Sequence, residues 1–306
     1  ELQAPGTHIT GGVAQQNKNM AGTGDDIACF TAEGVCGLPT NVVGTIGKFF
    51  PTGQQFYSTS SGTSHSTPAI AGGAALVYQW FINQFGQPPS PAMIKAYLVA
   101  AARYMNGAGA NDTLPSNSQG FGLMDLGFAF DPTPRLLRDQ VTNELFTASG
   151  QTRTYVGVIA SNSRPVRVTL TWTDAPGSTS GNAYNNDLDL VVSCNGRVYN
   201  GNVFSGALSV AGGSADPRNN TESVFLPAGT TGAVSILVRA ANINSDGVPN
   251  YGTALDQDFA LVAYNVETSA VPAVASAGTA LTAESCGSGQ IDPDEAVTVR
   301  LALANV

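Results

Sequence analysis

Apolar positions along the chain follow two different rules, and the change comes near residue 135. Before it, apolar residues recur at helical spacing. A run from Ala69 through Ile70, Leu76 and Val77 to Trp80 and Phe81 predicts a helix over residues 64–84. Its Gly72-Gly73 pair predicts close packing against a neighbour, so the helix is expected to be buried. Gly86-Gln-Pro-Pro-Ser90-Pro91 breaks the pattern and restarts it: Ser90 suits an N-cap and Pro91 the first helical position. Ala92, Ile94, Leu98, Ala101 and Ala102 then carry a second helix to about Met105. Gly120–Gly127 reads as a short final helix, and Asp131-Pro-Thr-Pro134 as a linker. Residues 1–57 are loop-rich, with short strands expected at His8–Thr10 and Gln55–Ser58.

From 137 to 266 the period shortens to two. Strands are expected at Leu145–Thr147, Arg153–Ile159, Val166–Trp172, Leu188–Val192, Ser223–Leu226, Ala233–Ala240 and Phe259–Asn265. Short strands separated by turns, with no helices between them, predict an antiparallel sandwich. Ala270–Ala283 is weakly patterned, and Ala296–Leu303 is one more strand. A final piece of this size cannot bury a core of its own. The expected organisation is an α/β unit over 1–132, an all-β sandwich over 136–267, and a linker with the opening of a further module over 268–306.

Composition narrows the function. Only 11% of the 306 residues are charged, against 42% hydrophobic. A surface of Ser, Thr, Asn, Gln and Gly suits an extracellular protein. The formal charge of −9, from 13 basic and 22 acidic residues, argues against nucleic acid as a partner. No apolar run reaches the ~20 residues of a membrane span. Of the four cysteines, Cys29 and Cys36 share a Gly-rich loop and either close a local disulfide or stay as two thiols. Cys194 and Cys286 have no pairing that sequence can assign.

The chemistry concentrates at Ser58–Pro68, where a small-residue loop meets the first helix. A helix start carries free N–H groups and a partial positive charge, which together stabilise an anion. Ser64 therefore sits where an oxyanion formed in acyl transfer can be held, although a hydroxyl at a helix entry also serves as an ordinary cap. Gly62-Thr63-Ser64-His65-Ser66-Thr67-Pro68 resembles the Gly-Thr-Ser-x-Ala-x-Pro motif of subtilisin-like serine peptidases, with Ser66 in place of the alanine. Ala4-Pro5-Gly6, Ser90–Lys95 and Gly120-Phe-Gly-Leu123 resemble further segments of that family, in its order. The resemblance implies a parallel α/β domain, Ser64 as nucleophile with its backbone N–H toward the oxyanion, and Gly62 and Thr63 beside the substrate.

Three departures stand out. In that family His-Gly-Thr, Asp-x-Gly and the oxyanion asparagine all precede the Ala-Pro-Gly, and none of them stands ahead of Ala4-Pro5-Gly6 here. His8 and His65 do not replace the base: one lies in a different motif, and the other points about 100° away from Ser64 on a helix. The expectation is therefore a C-terminal part of a secreted endopeptidase, inactive without the N-terminal part of its catalytic domain.

A second constellation is Asp174 with Asn185-Asn186-Asp187-Leu188-Asp189. Asp187 and Asp189 share a strand face, and nearby amide oxygens suit a hard cation. Calcium held by Asp174, Asn186, Asp187 and Asp189 is one reading; a solvated Asx turn is the other. Trp172–Pro176, Asn186–Val191 and Arg218–Asn220 resemble the C-terminal β-sandwich of oxidatively stable alkaline subtilisins. That implies a jelly-roll-like domain, often calcium-loaded. Gly287–Glu295 resembles the entry of an Ig-like module. The rival to the peptidase is an extracellular adhesion protein that binds through its sandwich.

Overall fold

The computed structural model describes residues 1–12, 48–49, 57–181, 183–268, 274–285, 287–291 and 296–305. The cysteine pair expected at Cys29 and Cys36 lies outside them.

Helix α1 spans Thr63–Phe85 and ends at Gly86, whose φ of 70° is left-handed. It is not the buried helix expected. Only the Gly73, Val77 and Phe81 stripe is buried, while Leu76, Tyr78, Ile82 and Phe85 are exposed, Phe85 at 55%. The two glycines divide accordingly: a Cβ on Gly73 would collide with Met124 Sδ, whereas Gly72 faces open space. Helix α2 spans Pro91–Ala100. Ser90 caps it, its hydroxyl accepting the Met93 N–H at 2.9 Å, with Pro91 in the first turn. Helix α3 is a single turn, Leu126–Ala129, capped by Asp125. It starts later than expected because Leu123 is already engaged as a bridge to Gln3 and Arg103.

The strands of this first part are β1 (Ile9–Gly12), β2 (Lys48–Phe49) and β3 (Tyr57–Ser60), joined antiparallel in the order β1-β3-β2. Within residues 1–132 parallel pairing is limited, among the described residues, to the single bridge Gln3↔Leu123. The parallel sheet implied by the α/β reading is thus represented there by one contact.

The rest is predominantly β. One sheet holds β4 (Arg135–Asp139), β6 (Val166–Thr171), β11 (Thr221–Leu226) and β13 (Ala260–Tyr264) in the order β11-β6-β13-β4. The other holds β5 (Thr152–Ile159), β7 (Asp187–Cys194), β8 (Arg197–Asn200), β12 (Ala233–Asn242) and β14 (Val266–Glu267) in the order β14-β5-β12-β7-β8. All their pairings are antiparallel. Val166, Val168 and Leu170 of one sheet meet Leu188, Leu190, Ile236 and Val238 of the other in a single core, closed by Trp172 and Phe146. The pairs β9 (Phe204–Ser205) with β10 (Leu208–Ser209) and β15 (Val274–Ala283) with β16 (Thr298–Asn305) complete the strands.

Two sequence expectations fail for local reasons. Leu145–Thr147 is not a strand: a 3₁₀ turn at Thr142–Glu144 delivers Phe146 to one bridge with Gln257. Strand β4 is an addition that the expected strands lack, because Arg135, Arg138 and Asp139 hide its period. Arg138 instead pairs with Glu144, and Arg135 with Asp131.

The helical part and the sandwich share a core. Strand β13 is buried throughout because its two faces serve different layers: Leu261 and Ala263 join the sandwich core, while Ala260 and Val262 pack with α2, Val77 and Phe81. Arg167 on β6 points the same way as Ala260. Its Nη1 donates to Ala102 O at 2.7 Å, and its guanidinium lies 4.3 Å from the Phe225 ring centroid and 5.5 Å from that of Phe128. A charge-assisted bond and desolvated cation–π contacts together contribute about 3 kcal/mol. Arg167→Met is expected to lower unfolding stability by about that much in urea melts; a loss under about 1 kcal/mol would show that the guanidinium is not the rivet between the layers.

Candidate active site

Ser64 stands exposed in the first turn of α1. The residue before that turn, Gly62, adopts φ 156° and ψ 164°, a region essentially closed to residues with a Cβ. No side chain caps the turn; the His65 N–H is taken by Gly62 O at 3.1 Å, while no side chain takes the Ser64 N–H, which can meet an anion. The Ala4-Pro5-Gly6 segment holds this turn from outside. Gly62 N–H donates to Gly6 O at 2.7 Å, and His8 N–H donates to Ser61 Oγ at 2.9 Å. A Cβ on Gly6 would come within 2.9 Å of Gly62 O and 3.3 Å of Ser66 Cβ, so the two loops touch backbone to backbone. Ser66 Oγ donates back to Thr63 O at 3.2 Å, which tightens the turn from within. Motif segments 56 residues apart in sequence, from Gly6 to Gly62, thus form one unit around Ser64, with Gly62 and Thr63 exposed beside it. Neither His8 nor His65 hydrogen-bonds Ser64 Oγ among the described residues; His8 meets the loop through its backbone. Beyond Thr67, a groove of about 460 Å³ runs between α1 and α2, lined by Ile70, Ala74, Ile94 and Leu98.

The four residues nominated for calcium separate into two groups. Asp174 takes backbone N–H groups on both oxygens: Ala175 (2.9 Å) and Asn186 (3.0 Å) on Oδ1, Asn185 (2.6 Å) on Oδ2. Asn186 is 2% exposed, and its Oδ1 accepts from Asn244 N, Ser245 N and Ser245 Oγ. Its Nδ2 donates to Ser245 O, Asp256 O and Gln257 Oε1. Both side chains are therefore spent on tying loops together. Asp187 and Asp189 do share a face, but Asp189 is held by Arg239 Nε at 2.8 Å. Among the described residues no three His, Cys, Asp or Glu side chains gather closely enough to hold an ion. As one ligand shell for calcium, the four do not fit.

Sequence reasoning missed the buried acid beside them. Glu222 is fully buried, its Oε2 accepting the Leu190 N–H at 2.7 Å while Oε1 has no partner. Burial pushes its carboxyl up to about 9, and the charges of Asp189, Asp216 and Asp187 add to the effect. Asp187 is itself pushed up to about 6, by burial and then by Asp189. The signal was present in the sequence: in Thr221–Leu226, Glu222 has the parity of the core residues Val224 and Leu226. Cys194 is a free, buried thiol.

Residues 14–122 match the family described as Subtilase family, and that stretch is a subtilisin-like serine peptidase region. A comparison with curated proteins finds no match. Among the described residues, no helix is long and apolar enough to cross a membrane.

Proposed function

We propose that this chain carries the nucleophile of a secreted serine endopeptidase, with Ser64 as that nucleophile. The observation behind the reading is the turn itself: an exposed serine in an uncapped first helical turn, preceded by a glycine in a glycine-only conformation and braced by Gly6. Ser64 Oγ attacks the scissile carbonyl while a histidine takes its proton. The Ser64 N–H and an asparagine side chain hold the oxyanion, the amine leaves with the proton, and water releases the acyl group.

We do not assign the base to His8 or His65: among the described residues neither hydrogen-bonds Ser64 Oγ, and His8 meets the loop through its backbone. The base, its orienting aspartate and the asparagine come from a complementary segment carrying the family's other motifs. The exposed apolar side of α1, with Leu76, Ile82 and Phe85, and the groove beside it are the surface such a segment would cover.

The test is labelling by a fluorophosphonate, with and without that segment. The chain alone is expected to label at a trace level, because an unassisted serine is a weak nucleophile. Adding the segment should bring labelling to full stoichiometry, and Ser64→Ala should abolish it. Full labelling of the chain alone would refute the need for a partner. No labelling of the assembled pair would refute Ser64 as nucleophile and favour the adhesion reading.

A further inference from the structure

The hairpin joining β7 to β8 turns on Asn195-Gly196, with φ values of 51° and 70°. Two consecutive left-handed residues make the tight turn that matches strand twist, and this fixes Arg197 directly across from Cys194. Beneath the turn lies a cavity of about 550 Å³ lined by Cys194, Arg197, Tyr199, Leu226, Pro227 and Thr230. Arg197 is unusual in how it is used. The sequence has eight arginines between Arg135 and Arg239. Six of them, Arg135, Arg138, Arg153, Arg164, Arg167 and Arg239, spend the guanidinium on a carboxylate or a backbone carbonyl. Among the described residues, the Arg197 and Arg218 guanidinium groups and the Tyr199 hydroxyl have no such partner, and of these Arg197 and Tyr199 line the same cavity. Leu226 and Pro227 add apolar lining to it. No acidic residue lines the cavity.

We propose that this end of the sandwich binds a small organic carboxylate, its anionic head on Arg197 and Tyr199 and its apolar body against Leu226 and Pro227. A guanidinium presents two parallel N–H donors, which match a carboxylate's two oxygens. The apolar lining selects an organic anion over an inorganic one, and the volume falls within the range of small-molecule sites. The proposal is independent of the peptidase reading, since the cavity is built only from sandwich residues.

Benzoate is the probe, followed by amide chemical shifts of Gly196 and Gly229 in ¹⁵N-labelled protein. Benzoate should shift both resonances saturably. Benzamide, which keeps the ring but not the charge, and inorganic phosphate, which keeps charge but not the ring, should each bind at least tenfold more weakly. Arg197→Gln should weaken benzoate at least tenfold, and Tyr199→Phe should weaken it to a lesser degree, while the core resonances of both variants stay in place. The site is refuted if benzoate gives no saturable shift, if benzamide or phosphate binds equally well, or if Arg197→Gln binds like the parent. Should Arg197→Gln disturb the fold, the comparison of benzoate with benzamide on the parent chain decides the matter alone.

Discussion

Asn186→Ala is expected to cost the sandwich about 4 kcal/mol or more, a large share of the 5–15 kcal/mol that stabilises a typical domain. The size follows from what the side chain satisfies. Asn186 bonds two backbone carbonyls, Ser245 O and Asp256 O, and two backbone N–H groups, Asn244 and Ser245. Alanine strands all four in a setting where Asn186 is 2% exposed, and each stranded group costs about 1–3 kcal/mol. The damage should spread, because these bonds join three loops. Asp174 fastens 174–186 from one side; Asp256 holds Val248 N–H at 2.8 Å and the Thr253 hydroxyl; Gln257 reaches Thr173 O at 3.0 Å. Urea unfolding followed by tryptophan fluorescence measures the loss, and Asn186→Asp, which keeps the acceptor and loses the donors, should fall between. A loss below about 1 kcal/mol for alanine would mean that the network is worth no more than one exposed hydrogen bond.

Glu222→Gln is expected to change how stability depends on pH. In the unfolded chain Glu222 ionises at about 4.3, whereas in the folded protein burial holds its carboxyl protonated up to about 9. Between those values the folded state binds the extra proton. Stability is therefore full below pH ~4.3 and falls as pH rises through the window to about 9. The slope approaches about 1.4 kcal/mol per pH unit for a single group, less where neighbouring charges share the proton. Asp187, pushed up to about 6, adds to the same trend at the acid end of the window. Glutamine keeps the shape and the acceptor for Leu190 N–H but carries no titrating proton. The variant should be less pH-dependent between 6.5 and 8.5 and more stable than the parent at the alkaline end. An unchanged slope would mean that Glu222 is already ionised in the fold.

These effects divide according to what a linear sequence displays. The Ser90 cap, the start of α2 and most sandwich strands were legible, because each depends on local periodicity or a cap within one turn; α2 itself stops at Ala100, short of the expected Met105. The turn around Ser64 was legible as a motif: Gly62, Ser64 and Pro68 sit in one heptapeptide. What that motif leaves open is its support. Contact between Gly6 and Gly62 depends on loops 56 residues apart, and nothing in either loop's own pattern announces it. The same limit explains Asn186. On the sequence it looks like one more oxygen beside Asp187; in the fold its six bonds go to residues 58 or more positions away, so it builds the loops instead of facing a cation. The burial of β13 on both faces likewise needs α2 to arrive from outside the sandwich.

Sequence by itself determined the two regimes, helical before residue 135 and β after it, and the motif that surrounds Ser64, since backbone propensity and a contiguous motif are local properties. Tertiary structure decided the rest. It made α1 half-exposed, placed the sandwich under α2 through Arg167 and Ala260, and sealed Glu222 away from water. Burial and hydrogen-bond partnership are sums over neighbours distant in the chain, and they exist only once the layers have closed on one another.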